Sequence, residues 1–228
     1  MFDAIAPSYD RLNHMLSLDV DRLWRRHALR YIVDGTPQRI LDVACGTGDS
    51  TISAAKAAAE GSEVVGVDLS EGMISLVMEK AEKAGVADWI TVETGDGEQL
   101  RFEDASFDRV TCAFGIRNFE HRDRGLAEMF RVLRPGGRAV ILELSVPRNP
   151  LLRWVYDLYF LHILPWIGGK VSGEKAAYRY LPASVHSFPA PEEFRAVILE
   201  QGFSSASFRT LSLGLCRLYI GEKGPSGD

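Results

Sequence analysis

A chain of 228 residues with 46% hydrophobic side chains can bury a full core, most simply as a single domain, 1–228, that carries an insertion. Acidic residues exceed basic ones by five charges, which excludes a general nucleic-acid footprint, so no nucleic acid is expected as a partner. Cys45, Cys112 and Cys216 are too few for a disulfide framework and suit a reducing cytoplasm, and without C-x-x-C or clustered His pairs no metal signature is present.

Met1-Phe2-Asp3 is acidic from the start, with no basic region before an apolar run, so no signal peptide is predicted. Residues 1–36 read as an N-terminal helical cap that contains Tyr9-Asp10 and a basic helix through Leu23 to Leu29. Residues 37–146 read as an α/β core. It begins with Ile40-Leu41-Asp42-Val43-Ala44-Cys45-Gly46-Thr47-Gly48-Asp49, an apolar strand and a glycine turn. The helix that follows, Thr51 to Ala59, points free N–H groups at the turn from near Asp49. The next strand, Val64-Val65-Gly66-Val67-Asp68-Leu69, ends on an acid about twenty residues past Gly48, where a carboxylate can accept hydrogen bonds from both hydroxyls of a ribose. Ser70 is a candidate N-cap for the second helix.

A dinucleotide site would need G-x-G-x-x-G, but the run here is Gly46-Thr47-Gly48-Asp49-Ser50-Thr51. Asp42 and Asp49 surround the turn with negative charge, which repels a pyrophosphate and suits a ligand carrying an ammonium and a sulfonium. S-adenosylmethionine is such a ligand. A third strand, Trp89 to Thr94, runs into Gly95-Asp96-Gly97, placing Asp96 to take the exocyclic amine of adenine and Gly97 to face a ring nitrogen. The fourth strand, Phe107 to Phe114, delivers Gly115-Ile116-Arg117-Asn118 to the same rim. Candidate cofactor-binding residues are thus Asp42, Gly46, Thr47, Gly48, Asp68, Leu69, Asp96, Gly97 and Ala113. A helix from Arg124 to Leu133 stops at Pro135-Gly136-Gly137, ahead of a strand over Arg138 to Glu143.

Residues 147–189 interrupt the alternation with an aromatic-rich stretch, Leu151 to Ile167. Arg153, Asp157, His162 and Pro165 argue against a membrane span, since an ionisable group at its centre costs about 2.5–3.5 kcal/mol. A helix pair is predicted instead, either covering one face of the sheet or serving as an apolar lid over an apolar substrate or a foot on the bilayer surface. On the second reading Leu151, Trp154, Tyr159, Leu161 and Trp166 surround the opening, with Arg153 and Lys170 meeting anionic headgroups. Residues 190–228 carry a helix from Pro191 to Gln201, a hairpin of Ser207–Leu211 and Leu215–Ile220, and a short polar tail. The predicted fold class is α/β: a Rossmann-like, seven-stranded, mostly parallel sheet with a C-terminal antiparallel hairpin, which resembles the architecture of class I S-adenosylmethionine-dependent methyltransferases.

Three blocks carry a resemblance across the whole chain: Tyr9-Asp10-x-Leu12-Asn13-x-x-Leu16-Ser17 leading to Trp24; Phe114-Gly115-Ile116-Arg117-Asn118; and Arg131-Val132-Leu133-Arg134-Pro135-Gly136-Gly137, continuing to Glu143-Leu144-Ser145. With them the chain resembles the UbiE/MenG C-methyltransferases, which methylate a ring carbon of prenylated quinol precursors of menaquinone and ubiquinone. Tyr178-Arg179-Tyr180-Leu181 is a further match. Asp19 stands where the family usually has glycine, and Arg134 where it usually has lysine. The resemblance implies demethylmenaquinone methyltransferase-like activity, a prenylated quinol substrate and a cytoplasmic protein in peripheral contact with the membrane surface. It is compatible with a homodimer.

Carbon methylation needs an electron-rich ring carbon, which a quinol supplies once one hydroxyl is ionised. A phenol near pKa 10 sits about three units, or ~4 kcal/mol, from ionisation at neutral pH, and a guanidinium in a dry site can supply much of that. Arg117 is the candidate for this role and Asn118 for a second donor, with Tyr9 or Asp10 closing the site. The ring proton lost after transfer has Asp10, Tyr9, His162 or a water held by Arg117 as candidate acceptors. Two other classes share parts of the pattern: an NAD-dependent oxidoreductase, which lacks its third glycine here, and a cofactor-binding module without catalysis, which has no need of Arg117. Naphthoquinol is the favoured substrate, with the benzoquinol precursor of ubiquinone as the alternative.

Overall fold

The computed structural model describes residues 14, 17, 19–160 and 175–225, apart from the side chains of residues 175–179. Tyr9, Asp10, Leu161, His162, Trp166 and Lys170 lie outside the described residues.

Alternating burial builds the sheet. In β1 (Arg39–Val43) Leu41 and Val43 pack to one side and Ile40 to the other, and β2 (Glu63–Asp68) repeats this with Val65 and Val67 opposite Val64. These strands join β3 (Ile90–Thr94), β4 (Phe107–Ala113), β5 (Leu133–Leu144), β6 (Ser205–Leu211) and β7 (Cys216–Glu222) in one seven-stranded sheet. Its order is β3-β2-β1-β4-β5-β7-β6, parallel from β3 to β5, with β7 antiparallel to both β5 and β6.

Helices α1 (Val20–Ile32), α2 (Asp49–Ala57) and α3 (Glu71–Ala84) seal one face, burying Trp24, Ile52 and Val77 against Ile40, Val64 and Leu218. On the other face α4 (Arg122–Val132) and α7 (Pro191–Glu200) bury Leu126, Met129 and Phe194 against Leu41, Val110 and Tyr219. Each large apolar side chain so buried contributes about 1.5–3 kcal/mol. Between β5 and α7 lie α5 (Pro150–Leu158) and α6 (Lys175–His186).

Several boundaries differ from the sequence reading: the first core helix is Asp49–Ala57 instead of Thr51 to Ala59, and the hairpin strands are Ser205–Leu211 and Cys216–Glu222 instead of Ser207–Leu211 and Leu215–Ile220. Trp89 belongs to a 3-10 turn, Ala87–Trp89, so the third strand starts at Ile90. The fourth helix starts at Arg122 and ends at Val132. The fifth strand starts at Leu133 instead of Arg138, because Pro135-Gly136-Gly137 is carried inside it as an irregularity: Gly136 takes φ 77° and donates its N–H to the carbonyls of Lys223 and Gly224, while Leu133 still pairs with Phe107. Asp19, in the usual glycine position, has φ 59°, the left-handed conformation that glycine enters freely and aspartate tolerates. The chain continues from β1 to β2 on one side and β4 lies on the other, so a crevice opens at the carboxyl ends of β1 and β4, where ligands bind in open α/β sheets.

Candidate active site

Beneath the strand ends lies a cavity of about 360 Å³, lined by Ala44, Gly46, Thr47, Asp68, Leu69, Asp96, Gly97, Ala113 and Asn118 among others. Ala44 (φ 55°) and Phe114 (φ 63°), just past β1 and β4, both hold left-handed backbone. Such conformations cost about 1–3 kcal/mol in a non-glycine residue and concentrate at functional sites. Asp68 is clamped at the rim, its Oδ2 accepting from the Gly46 N–H at 2.8 Å and its Oδ1 from the Ser70 N–H at 2.9 Å. A carboxylate so oriented offers the pair of acceptor oxygens that a diol's two hydroxyls require. Leu69 beside it is 70% exposed, an apolar surface suited to a flat ring. Asp96 accepts from the Glu98 N–H at 2.8 Å, and a Cβ on Gly97 would come within 2.7 Å of both Phe119 and Val43. Open space surrounds the position of a Cβ on Gly46. An acid-rimmed cradle with bare backbone and an apolar shelf fits S-adenosylmethionine.

Asp42 and Gly48 do not line this cavity. A Cβ on Gly48 (φ 83°) would meet Val77 at 2.6 Å, so this glycine lets α2 approach α3. The Asp42 carboxyl is buried beneath the turn, where it accepts from the Thr51 hydroxyl at 2.7 Å while its Oδ1 has no partner among the described residues. Burial pushes its pKa up from 3.8 to about 6, and the Thr51 bond and Arg25 offset only part of that. The folded value lies above the unfolded one, so this group's stabilisation is full below about pH 4 and is lost as pH rises through about 6. Asp42→Asn is therefore expected to match the wild type near pH 4 and to exceed its stability by up to ~3 kcal/mol at pH 7.5. Urea unfolding at the two pH values checks this; a pH-independent difference would remove burial as the cause.

Asp49, by contrast, reaches the cavity wall. Burial pushes its carboxyl up, but Arg25 and Lys80 outweigh it and hold the pKa below the ordinary value. Lys80 pairs with it at 2.6 Å, and His14 spans from Asp49 (3.2 Å) to Asp21 (2.9 Å), tying the start of the described chain to the cavity.

A second cavity, of about 440 Å³ and largely apolar, adjoins the first. Asp21, Arg25 and Phe114 line both. The Arg25 guanidinium lies 5.0 Å from the centre of the Phe114 ring, and Trp24 packs on that ring while its Nε1 donates to Ser212 Oγ at 2.8 Å. Leu152, Val155, Tyr156, Tyr159, Phe160 and Leu181 form part of this cavity's apolar wall.

Arg117 and Asn118, adjacent in a 3-10 turn (Ile116–Asn118), face different cavities. Arg117 lines the apolar one and is 7% exposed; its Nη1 donates to Glu143 Oε1 at 2.9 Å and to the Phe114 carbonyl. Glu143 is fully buried and also accepts from the backbone N–H groups of Arg117 and Leu144. Asn118 lines the polar cavity, its Oδ1 accepting from the Tyr180 hydroxyl of α6 at 3.1 Å. Sequence reading assigned no site role to Asp21, Trp24, Arg25, Phe114 or Glu143. The signal for Glu143 was an acid at the tip of an otherwise apolar strand; α1 offered only a tryptophan among arginines.

The family model of the ubiE/COQ5 methyltransferase family matches residues 1–223. Across 98% of this chain, a ubiquinone/menaquinone biosynthesis C-methyltransferase UbiE of Geobacter sulfurreducens is 49% identical, with 87% of that protein covered. A demethylmenaquinone methyltransferase of Bacteroides fragilis is 44% identical over 98% of this chain and 91% of its own length. Among solved structures, a putative S-adenosylmethionine-dependent methyltransferase of Methanococcus maripaludis has a TM-score of 0.72 at 19% identity, covering 100% of this chain and 96% of its own, a likeness of fold. The chain belongs to the ubiE/COQ5 methyltransferase family.

Proposed function

We propose that the protein transfers a methyl group from S-adenosylmethionine to a ring carbon of a prenylated quinol, with demethylmenaquinol as the favoured substrate. The observation that carries this reading is the junction of an acid-rimmed cavity with an apolar one at Phe114, with a buried arginine on the apolar wall. The names of the relatives, UbiE and demethylmenaquinone methyltransferase, support the same chemistry.

When bound, S-adenosylmethionine supplies an electrophilic methyl on a sulfonium. Asp68 would take its ribose hydroxyls, Leu69 would offer an apolar surface to the adenine, and Asp96 would accept from the adenine amine. Arg117 favours the ionised quinol oxygen, and Glu143 fixes the guanidinium so that little reorganisation is needed as charge develops. Trp24, Phe114 and the tyrosines exclude water and hold the ring flat, which supplies the alignment on which methyl transfer depends. Incubation with methyl-labelled S-adenosylmethionine and a short-chain demethylmenaquinol, followed by mass spectrometry, tests the reading. Label on the vacant ring carbon is expected; label on oxygen, or none, would overturn it.

The quinol's tail lives in lipid, and peripheral contact with a membrane surface is part of the reading. No helix among the described residues is long and apolar enough to cross a membrane. On α5, Leu151 (70%), Trp154 (63%) and Val155 (50%) are exposed, and Val155 also lines the apolar cavity, so its mouth opens into apolar surface. Arg153 on the same helix can add about 1 kcal/mol with anionic headgroups. Leu151→Ser combined with Trp154→Ser is expected to weaken co-sedimentation with anionic liposomes while sparing activity on a tail-less quinol. Undiminished liposome binding by that variant would exclude α5 as the contact.

A further inference from the structure

A third cleft, of about 550 Å³, opens between α1, α2 and α3. Arg22, Arg25 and Arg26 of α1, Lys56 of α2, and Lys80 and Lys83 of α3 line it, against one acid among the described residues, Asp49. In a chain whose acids outnumber its bases, cations gathered around one opening set up a local field that attracts anions. Part of this charge is answered within the protein: Lys80 pairs with Asp49, Arg25 lies 3.8 Å from Asp21, Arg22 pairs with Asp19 and Lys83 with Glu79. The last two pairs are solvent-exposed, where an ion pair is weak enough for an outside anion to compete. Arg26 and Lys56 are exposed and have no ion-pair partner among the described residues.

We propose that this cleft seats the phosphates of anionic phospholipids and so turns the mouth of the apolar cavity toward the bilayer. This rests on the quinol reading above, which places the substrate's tail in lipid. Two observations join the cleft to the cavity. Arg25 lines both. Helical spacing also sets Leu23, 58% exposed, between Val20, which lines the apolar cavity, and Arg26, which lines the cleft, so apolar and cationic surface adjoin on the outside of α1. Guanidinium forks and ammonium groups both hydrogen-bond phosphate oxygens. Cations spread over three helices suit a surface of many headgroups better than one small anion, because each adds its own attraction to the negative surface potential of a membrane.

Arg26→Gln combined with Lys56→Gln removes two cations without stranding an acid and touches neither cavity described above. Co-sedimentation with phosphatidylcholine vesicles, with and without phosphatidylglycerol, tests the seat. Wild type is expected to favour the anionic vesicles, and the variant to bind them roughly 25-fold more weakly, about fivefold for each cation lost. On phosphatidylcholine alone the two should bind alike. Inorganic phosphate at fixed ionic strength should not displace wild type from the anionic vesicles. Methylation of a long-chain quinol in those vesicles should fall with binding in the variant, while methylation of a tail-less quinol stays at the wild-type rate. Undiminished binding of the variant to anionic vesicles, or a wild type indifferent to lipid charge, would overturn the seat. Displacement by phosphate would make the cleft a site for a small anion and overturn it equally. The vesicle measurements use no quinol, so those results leave the methyl-transfer reading standing. A wild-type protein that fails to methylate the tail-less quinol would overturn that reading instead, whatever the vesicles show.

Discussion

Arg117→Met is expected to slow methyl transfer by a factor on the order of 10² to 10³ while leaving S-adenosylmethionine affinity nearly intact, because Arg117 lines the apolar cavity and not the cofactor cavity. Single-turnover rates and calorimetric titration measure the two quantities. Glu143 complicates the single variant: fully buried, it loses its cation, and breaking such a pair costs about 3–5 kcal/mol of stability. Arg117→Met combined with Glu143→Gln removes both charges while the amide oxygen still accepts from a backbone N–H, and should recover part of that stability without recovering the rate. Both variants should regain part of the rate as pH rises, since the quinol then ionises unaided. A double variant that regains rate along with stability would make Arg117 a structural residue.

Asp68→Ala is expected to weaken S-adenosylmethionine binding by roughly 2 to 3 kcal/mol, the loss of two charge-assisted hydrogen bonds to the ribose. The same substitution frees the N–H groups of Gly46 and Ser70, so the turn loosens as well. An analogue lacking one ribose hydroxyl separates the two effects. Wild-type protein should bind it more weakly than the parent cofactor, and Asp68→Ala should bind both alike. Unchanged affinity in a folded variant, or full discrimination retained by it, would remove Asp68 from the ribose.

Asp68, Leu69, Asp96, Gly97 and Ala113 all reach the acid-rimmed cavity because their placement is local: each ends a strand or lies in the loop after it, and parallel strands bring such ends to one rim. Asp42 and Gly48 share that local pattern, yet the cavity excludes both. Asp42 is held beneath the turn by Thr51, and the constraint on Gly48 comes from Val77, on a helix the turn does not foretell. The apolar cavity was far less legible. Trp24 and Arg25 become its wall only because α1 lies across the end of β4 at Phe114, and Arg117 meets Glu143 only because β5 lies beside β4. Those are tertiary contacts, which residue spacing does not encode.

The order of the sheet also governs how the chain can assemble. β7 follows β6 in sequence but inserts between β5 and β6, so β6 has no place in the sheet until β7 has docked. Until then Val140 and Leu142 of β5 present an unpaired edge, the kind of template on which a second chain can nucleate. A ribosome-bound chain, or one truncated before Cys216, could therefore hold the glycine turn and Asp68 in place and still be sticky along β5. Protection from aggregation belongs to the last strand, far in sequence from the turn and the rim acid that first mark the cofactor site.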